Sequence, residues 1–238
     1  MRLRSAPARR LRIGLAAAAV SVGTALPMPT DAGAQTGVDP RLVEAIDWYT
    51  GVAGRVDDAR AARFLDEAVQ AGGPLAVMWL ARVHSRGRMG FEHDEAAARR
   101  IASGVFADVR RLAASGSTEA AFLMGTAYDE GLGVAPDPLE ALRWYRVAAH
   151  AGHVLAAHNV GNVHRDGRGV PADPALAVVW WLRAAHAGDV IPALRLGEAY
   201  EAGRGVVADP ARARRWYGRA AAAGNGEAAA ALERLSSG

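Results

Sequence analysis

The chain has 238 residues, 51% of them hydrophobic, and its 28 basic residues are all Arg, with no Lys and no Cys. This composition can bury a core, but it excludes a disulfide framework, a lipid anchor on Cys, a Schiff-base lysine and a phosphate-loop lysine. The formal charge of +3 is unevenly distributed along the chain.

Residues 1–34 have the pattern of a secretory signal peptide. Five Arg lie between positions 2 and 12, an apolar run extends from 13 to 26, and Ala32-Gly33-Ala34 offers a cleavage site before Gln35. An uncleaved membrane anchor is the alternative, although the run is shorter than the about 20 residues that a spanning helix needs. We therefore predict a periplasmic or secreted protein with no transmembrane span after cleavage.

Cleavage would also change the charge of the chain. Residues 35–238 hold 23 of the 28 Arg and 24 of the 25 acidic residues, which leaves a formal charge of −1. The sequence pI of 9.8 therefore mainly reflects the leader. Since a basic surface is the usual signature of nucleic-acid binding, no nucleic-acid partner is predicted.

The rest of the chain is organised by an internal repeat. Residues 125–152 recur as 161–188 and again as 197–224, at an offset of 36 each time. A fixed period of this length predicts stacked supersecondary units. Each copy has a Gly where a helix ends and an Asp-Pro pair where the next helix begins, which predicts pairs of helices. These helix-boundary positions are Gly131, Gly167, Gly203, Asp137, Asp173 and Asp209.

Taken in order, the chain divides into a linker at 35–39 and a solenoid at 40–238. Its units are 40–72, 73–116, 117–152, 153–188 and 189–224, followed by a capping helix at 225–238. The second unit is eight residues longer than the regular ones, and seven of these lengthen its second helix. The stretch 95–115 is either one long helix or a helix broken near Ser103-Gly104.

This pattern resembles the Sel1-like repeat, a relative of the tetratricopeptide repeat. The last full copy carries it most completely, with Ala193, Leu196, Gly197, Tyr200, Gly203, Gly205, Val206, Asp209, Ala213, Trp216, Tyr217, Ala220, Ala221 and Gly224. The resemblance implies an all-α fold, a right-handed α/α superhelical solenoid of about five helix pairs plus a C-terminal capping helix. It also implies a scaffold that binds a protein or peptide partner and in some exported members regulates an envelope or signalling complex.

By analogy with tetratricopeptide geometry, the first helix of each unit lines the concave face. Its residues off the packing stripe are then the predicted partner-binding set. They are Met78, Arg82, Ser85, Phe122, Thr126, Asp129, His158, Asn162, Arg165, Leu194, Glu198 and Glu201.

Catalytic, cofactor and metal sites are not predicted. The seven His lack the spacing of a helical ligand pair, and His84 and His164 occupy the position of the core residue Tyr128. No paired-carboxylate or nucleophile motif is present. The alternative function is a β-lactam or cell-wall hydrolase, which rests on resemblance to Cys-rich exported relatives and is weakened by the absence of Cys.

Overall fold

A computed structural model describes residues 37–53, 55–187 and 189–236, and the predicted signal peptide lies outside them. The described residues form twelve α-helices and no strand. The helices are α1 (Pro40–Thr50), α2 (Asp58–Gln70), α3 (Pro74–Arg86), α4 (Glu95–Ser103), α5 (Phe106–Ala114), α6 (Thr118–Glu130), α7 (Pro138–His150), α8 (Val154–Asp166), α9 (Pro174–His186), α10 (Ile191–Ala202), α11 (Pro210–Ala222) and α12 (Gly226–Ser236). The all-α solenoid of helix pairs is thereby confirmed.

Local sequence signals account for the helix boundaries. The side chain of Asp137 accepts hydrogen bonds from the backbone N–H groups of Leu139 and Glu140, at 3.0 and 3.1 Å, ahead of α7. Gly131 ends α6 in the left-handed region, with φ 70°, and its N–H donates to the carbonyl of Ala127. Both features return in the next two units, so the predicted helix boundaries are confirmed.

The long second unit contains a broken helix. The backbone N–H groups of Gly104 and Val105 donate to residues three positions back, at 3.2 and 3.0 Å, instead of continuing the α-helical ladder. The break separates α4 from α5, which agrees with the second of the two predicted alternatives. Ala102 and Val109 are fully buried on either side of it, so α4 and α5 each keep a face in the core.

The helices form two layers, and each packs mainly against its neighbours in the chain. The first helices of the units (α1, α3, α6, α8, α10 and α12) line the inside of the array, and α2, α4, α5, α7, α9 and α11 lie outside. Within a regular pair the two helices approach closely at a glycine. A Cβ built on Gly197 would lie 2.5 Å from the ring of Tyr217.

The array curves strongly enough to bring distant units into contact. Gly51, at the end of α1, lies against the connection between α9 and α10, so that an added Cβ would be 2.9 Å from Cγ2 of Val190. Ile191 packs against the same core cluster as α1. No helix in the described ranges is long and apolar enough to cross a membrane.

The close approach within a pair can be tested at two glycines. We expect Gly197→Ala to lower the free energy of unfolding by about 1–3 kcal/mol, because the new methyl group collides with Tyr217. Gly218→Ala should raise it by about 0.5–1 kcal/mol, since a Cβ there meets nothing within 4 Å and Ala favours the helix. Urea unfolding measures both. Equal effects of the two substitutions would contradict the proposed role of Gly197.

The capping helix α12 is held by a charged contact. Glu201 accepts hydrogen bonds from Nη2 of Arg234 at 3.0 Å and from Oη of Tyr217 at 2.7 Å. These bonds, that of Arg234 first, lower the pKa of Glu201 below its ordinary value of 4.5. A carboxyl group with a lowered pKa in the folded state stabilises folding above its unfolded pKa, and this stabilisation is lost as the pH falls through the folded pKa.

Glu201→Gln should therefore lower the melting temperature near neutral pH and have almost no effect near about pH 3. Thermal unfolding followed by circular dichroism at both pH values measures the difference. Glu92→Gln, at an exposed position, is the matched control and should leave the melting temperature unchanged at both pH values. A difference in melting temperature between wild type and Glu201→Gln that is larger in acid than near neutral pH would overturn this account.

Candidate functional site

The concave side of the solenoid holds an open groove with a volume of about 640 Å³. We call it the inner groove. Its walls come from both ends and from the middle of the array. It is lined by Tyr49, Arg82, Arg86, Arg88, Leu155, His158, Asn159, Asn162, Arg165, Ile191, Leu194, Arg195 and residues 224–227.

Five of the twelve predicted partner-binding residues line the inner groove. They come from α3, α8 and α10, and thus from three different units. They are Arg82, His158, Asn162, Arg165 and Leu194. Their role in binding stays a prediction, but the structure brings them to one surface.

Three predicted surface residues lie in the core instead. Met78, Phe122 and Thr126 each have 0% exposure. Phe122 is covered because His153 stacks on it with ring centroids 4.4 Å apart, and Trp79 packs beside it at 5.7 Å. The prediction of a concave-face position is corrected for these three, since this part of α3 and α6 is packed into the core.

Of the remaining four predicted residues, three are held in contacts between units and one in a contact within its own helix. The carboxylate of Glu130 accepts a hydrogen bond from Oγ of Ser85, and Arg168 pairs with Asp129. Burial raises the pKa of Asp129, although Arg168 acts against this. Glu198 pairs with Arg195, and Glu201 holds the capping helix. Arg195, the partner of Glu198, lines the inner groove, and the other three contacts lie outside it.

The sequence prediction missed several groove residues. Leu155 and Asn159 lie on the same helical stripe as His158 and Asn162, as positions i, i+3, i+4 and i+7, and Ile191 and Arg195 are their equivalents in the next unit. Completing the stripe would have found these four. Tyr49 and residues 224–227 carry no such signal, because only the curvature of the whole array brings them to the groove.

Arg82 has an unusual environment at the wall of the inner groove. Its residue exposure is 4%, and its guanidinium carbon lies 4.6, 5.3 and 5.5 Å from the ring centroids of Trp79, Phe122 and Tyr49. Its Nε has no hydrogen-bond partner, and among the residues that the structure describes no carboxylate pairs with it. Arg82 is thus a buried cation that packs against aromatic faces and has no counter-ion within the described part of the chain.

Other polar groups beside Arg82 are also incompletely satisfied. Asn159 is 9% exposed, and its Nδ2 has no acceptor among the described residues. Nδ1 of His158 lies 3.4 Å from Oδ2 of the fully buried Asp189, whose other oxygen accepts a hydrogen bond from the backbone N–H of Ile191. The lining residues of the groove therefore present mainly hydrogen-bond donors.

The histidines do not form a metal centre in the described ranges, where no group of three His, Asp or Glu side chains could hold an ion. His164 is 5% exposed, and burial, followed by the neighbouring Arg146, lowers its pKa. It therefore occupies the core as a neutral ring, as the repeat position predicted.

The corrected position of Phe122 gives a test. Phe122→Ala should lower the free energy of unfolding by about 3–5 kcal/mol, the usual cost of removing a buried aromatic ring. Glu198→Gln, at a partly exposed position two units further on, should change it by less than about 0.5 kcal/mol. Urea unfolding of both variants measures this. If Phe122→Ala leaves the free energy of unfolding unchanged, the burial of Phe122 is contradicted.

Comparisons with known proteins agree with this architecture. The Sel1 repeat family model matches residues 118–153, 154–189 and 193–225. No curated protein sequence matches the chain. The crystal structure of a Sel1 repeat protein from Oxalobacter formigenes is 33% identical, with a TM-score of 0.53, and the match covers 75% of this chain and 50% of that one.

A second similar structure is that of c5321, a protective antigen present in uropathogenic Escherichia coli strains and displaying an SLR fold. It is 28% identical, with a TM-score of 0.54, and the match covers 85% of this chain and 42% of that one. The chain thus spans half or less of the length of these two proteins. Residues 118–153, 154–189 and 193–225 of this chain are therefore three consecutive Sel1 repeats.

Proposed function

We propose that this protein is an exported, non-catalytic scaffold that binds a segment of a partner protein in the inner groove, within an envelope or signalling complex. The Sel1-repeat fold is commonly one of protein interaction, and here it forms a concave surface of suitable size. The single observation that carries the proposal is this groove, which draws residues from five of the first helices and is lined by side chains that vary from unit to unit.

The distribution of repeated and unrepeated residues supports this proposal. Positions that pack within and between pairs, such as Gly161 and Gly197, keep their identity because the helix approach depends on them. At the groove, His158 and Asn162 are replaced one repeat later by Leu194 and Glu198. Because these positions vary while the packing glycines do not, recognition of a particular partner is the role we assign to them.

A binding role fits the chemistry of the inner groove better than the hydrolase alternative. Acid–base hydrolysis needs a positioned pair of titratable groups, such as two carboxylates. Among the described lining residues, Glu227 is the one carboxylate. Arg, Asn and His side chains beside an aromatic ring and aliphatic residues are instead typical of a surface that binds a polar protein segment.

Photocrosslinking tests the binding face. In the organism that carries the gene, a photoreactive phenylalanine derivative replaces Arg165 in the groove or Val179, which is 60% exposed on the outer helix α9. We expect the Arg165 position to crosslink a defined partner and the Val179 position to give none, because only the groove is recognised. Mass spectrometry of the product identifies the partner.

The same material tests export and the alternative function. The protein should be recovered from the periplasmic or secreted fraction with Gln35 as its first residue. A partner captured equally at both positions, or at neither, would contradict groove binding. Hydrolysis of nitrocefin or of cell-wall fragments by the purified protein would favour the enzyme alternative.

A further inference from the structure

We propose that the inner groove recognises an acidic segment of the partner and that Arg82 receives a carboxylate of this segment. The inference rests on the proposed function, because it names the chemistry of the partner at the same groove. It is carried by the environment of Arg82 and by the pairing of the other arginines around it.

Burial without a counter-ion is the first step. An ionised guanidinium that leaves water loses much hydration energy. In proteins a paired carboxylate and further hydrogen bonds normally compensate for this loss. Arg82 is 4% exposed and has the rings of Tyr49, Trp79 and Phe122 around it, but no carboxylate partner among the described residues. The rings hold the cation in place without neutralising it. Because Arg82 lines the groove, its accessible part faces a bound segment.

The other arginines of the groove differ from Arg82 in this respect. Nε of Arg86 lies 2.6 Å from the carboxylate of Glu130, and Nε of Arg165 lies 2.6 Å from that of Asp166. Arg195 pairs with Glu198, and Arg88 lies 3.7 Å from Asp58. These four have their charges balanced within the protein. A ligand charge is therefore needed at Arg82 in particular.

Neighbouring donors extend the site. Asn159 is 9% exposed and lines the same groove, and its Nδ2 finds no acceptor in the part of the chain that the structure describes. Asn162 is oriented by Trp181, whose Nε1 donates to its Oδ1 at 3.2 Å, so the amide nitrogen of Asn162 remains as a donor. A segment with carboxylate and carbonyl oxygens supplies the acceptors that these groups lack.

Charge complementarity selects an acidic protein segment over other occupants. The N-terminal stretch of this chain, with five Arg among residues 1–34, has the wrong sign to pair with Arg82. A nucleic acid requires a basic surface over many phosphates, but residues 35–238 have a formal charge of −1 and most groove arginines are already paired. One strong cation among amide donors fits a single Asp or Glu in an extended chain.

The experiment uses a random peptide display library selected on the full chain beginning at Gln35. We expect the enriched peptides to share an Asp or Glu. In one synthetic representative, replacing this acid by Asn or Gln should weaken binding by at least about 30-fold in fluorescence anisotropy, as the loss of one member of a desolvated charge pair does. A single-stranded oligonucleotide serves as a competitor and should not displace the peptide.

A double-mutant cycle assigns the contact. Arg82→Met should weaken binding of the acidic peptide by about the same factor as the change in the peptide does. In the Arg82→Met protein, replacing the acid of the peptide by its amide should have little further effect. Arg110→Met removes an exposed arginine of α5 outside the groove and is the matched control, with unchanged affinity. The melting temperature of Arg82→Met should stay near that of the wild type, since Met packs well among aromatic rings. Arg82→Lys provides a second variant, which should bind weakly because it lacks the planar fork.

The possible outcomes separate this inference from the proposed function. Enriched peptides without acids, independent effects in the cycle, or displacement by the oligonucleotide would overturn the acidic ligand. If the library gives no binder, the partner segment that crosslinks at position 165 provides the test. A crosslinked segment that contains no Asp or Glu would also overturn the acidic ligand. The proposed function itself is contradicted if the photoreactive residue at position 165 crosslinks no partner.

Discussion

The close approach of a helix glycine to an aromatic ring is the constraint on which the solenoid depends. In each regular pair the first helix presents Gly125, Gly161 or Gly197, and the ring of Tyr145, Trp181 or Tyr217 from the second helix occupies the space of a missing side chain. The ring cannot occupy this space if a Cβ is present. This contact fixes the distance and the angle within a pair, so that each pair is added to the array as a similar block.

The inner groove follows from repeating this block. Small, constant rotations between pairs accumulate into curvature, which brings the turn after α1 against Val190. The same curvature places Tyr49 of α1 and Glu227 of α12 on one surface. A straight array of the same helices would keep these two ends apart and would have no such groove.

This explains how much of the molecule could be predicted from sequence. Helix boundaries depend on local signals, such as Asp137 before α7 and Gly131 after α6, and these were predictable because capping involves residues only a few positions apart. The concave face was predictable in part, since Asn162 and Leu194 follow from the helical stripe. Phe122 was misplaced because its burial depends on contacts such as that with His153, 31 positions away.

Arg82 shows why the irregular first units matter for function. Its equivalents in the following units are Thr126, Asn162 and Glu198, so the same repeat position changes from cation to neutral group to anion along the array. The aromatic environment of Arg82 also needs rings from three successive units, and the first of these, Tyr49, belongs to the most degenerate one. In the proposed complex the acid of the segment lies at α3, because the equivalent positions in α8 and α10, Asn162 and Glu198, carry no cation. Repeated packing residues build such a surface, and substitutions at one repeated position give it polarity.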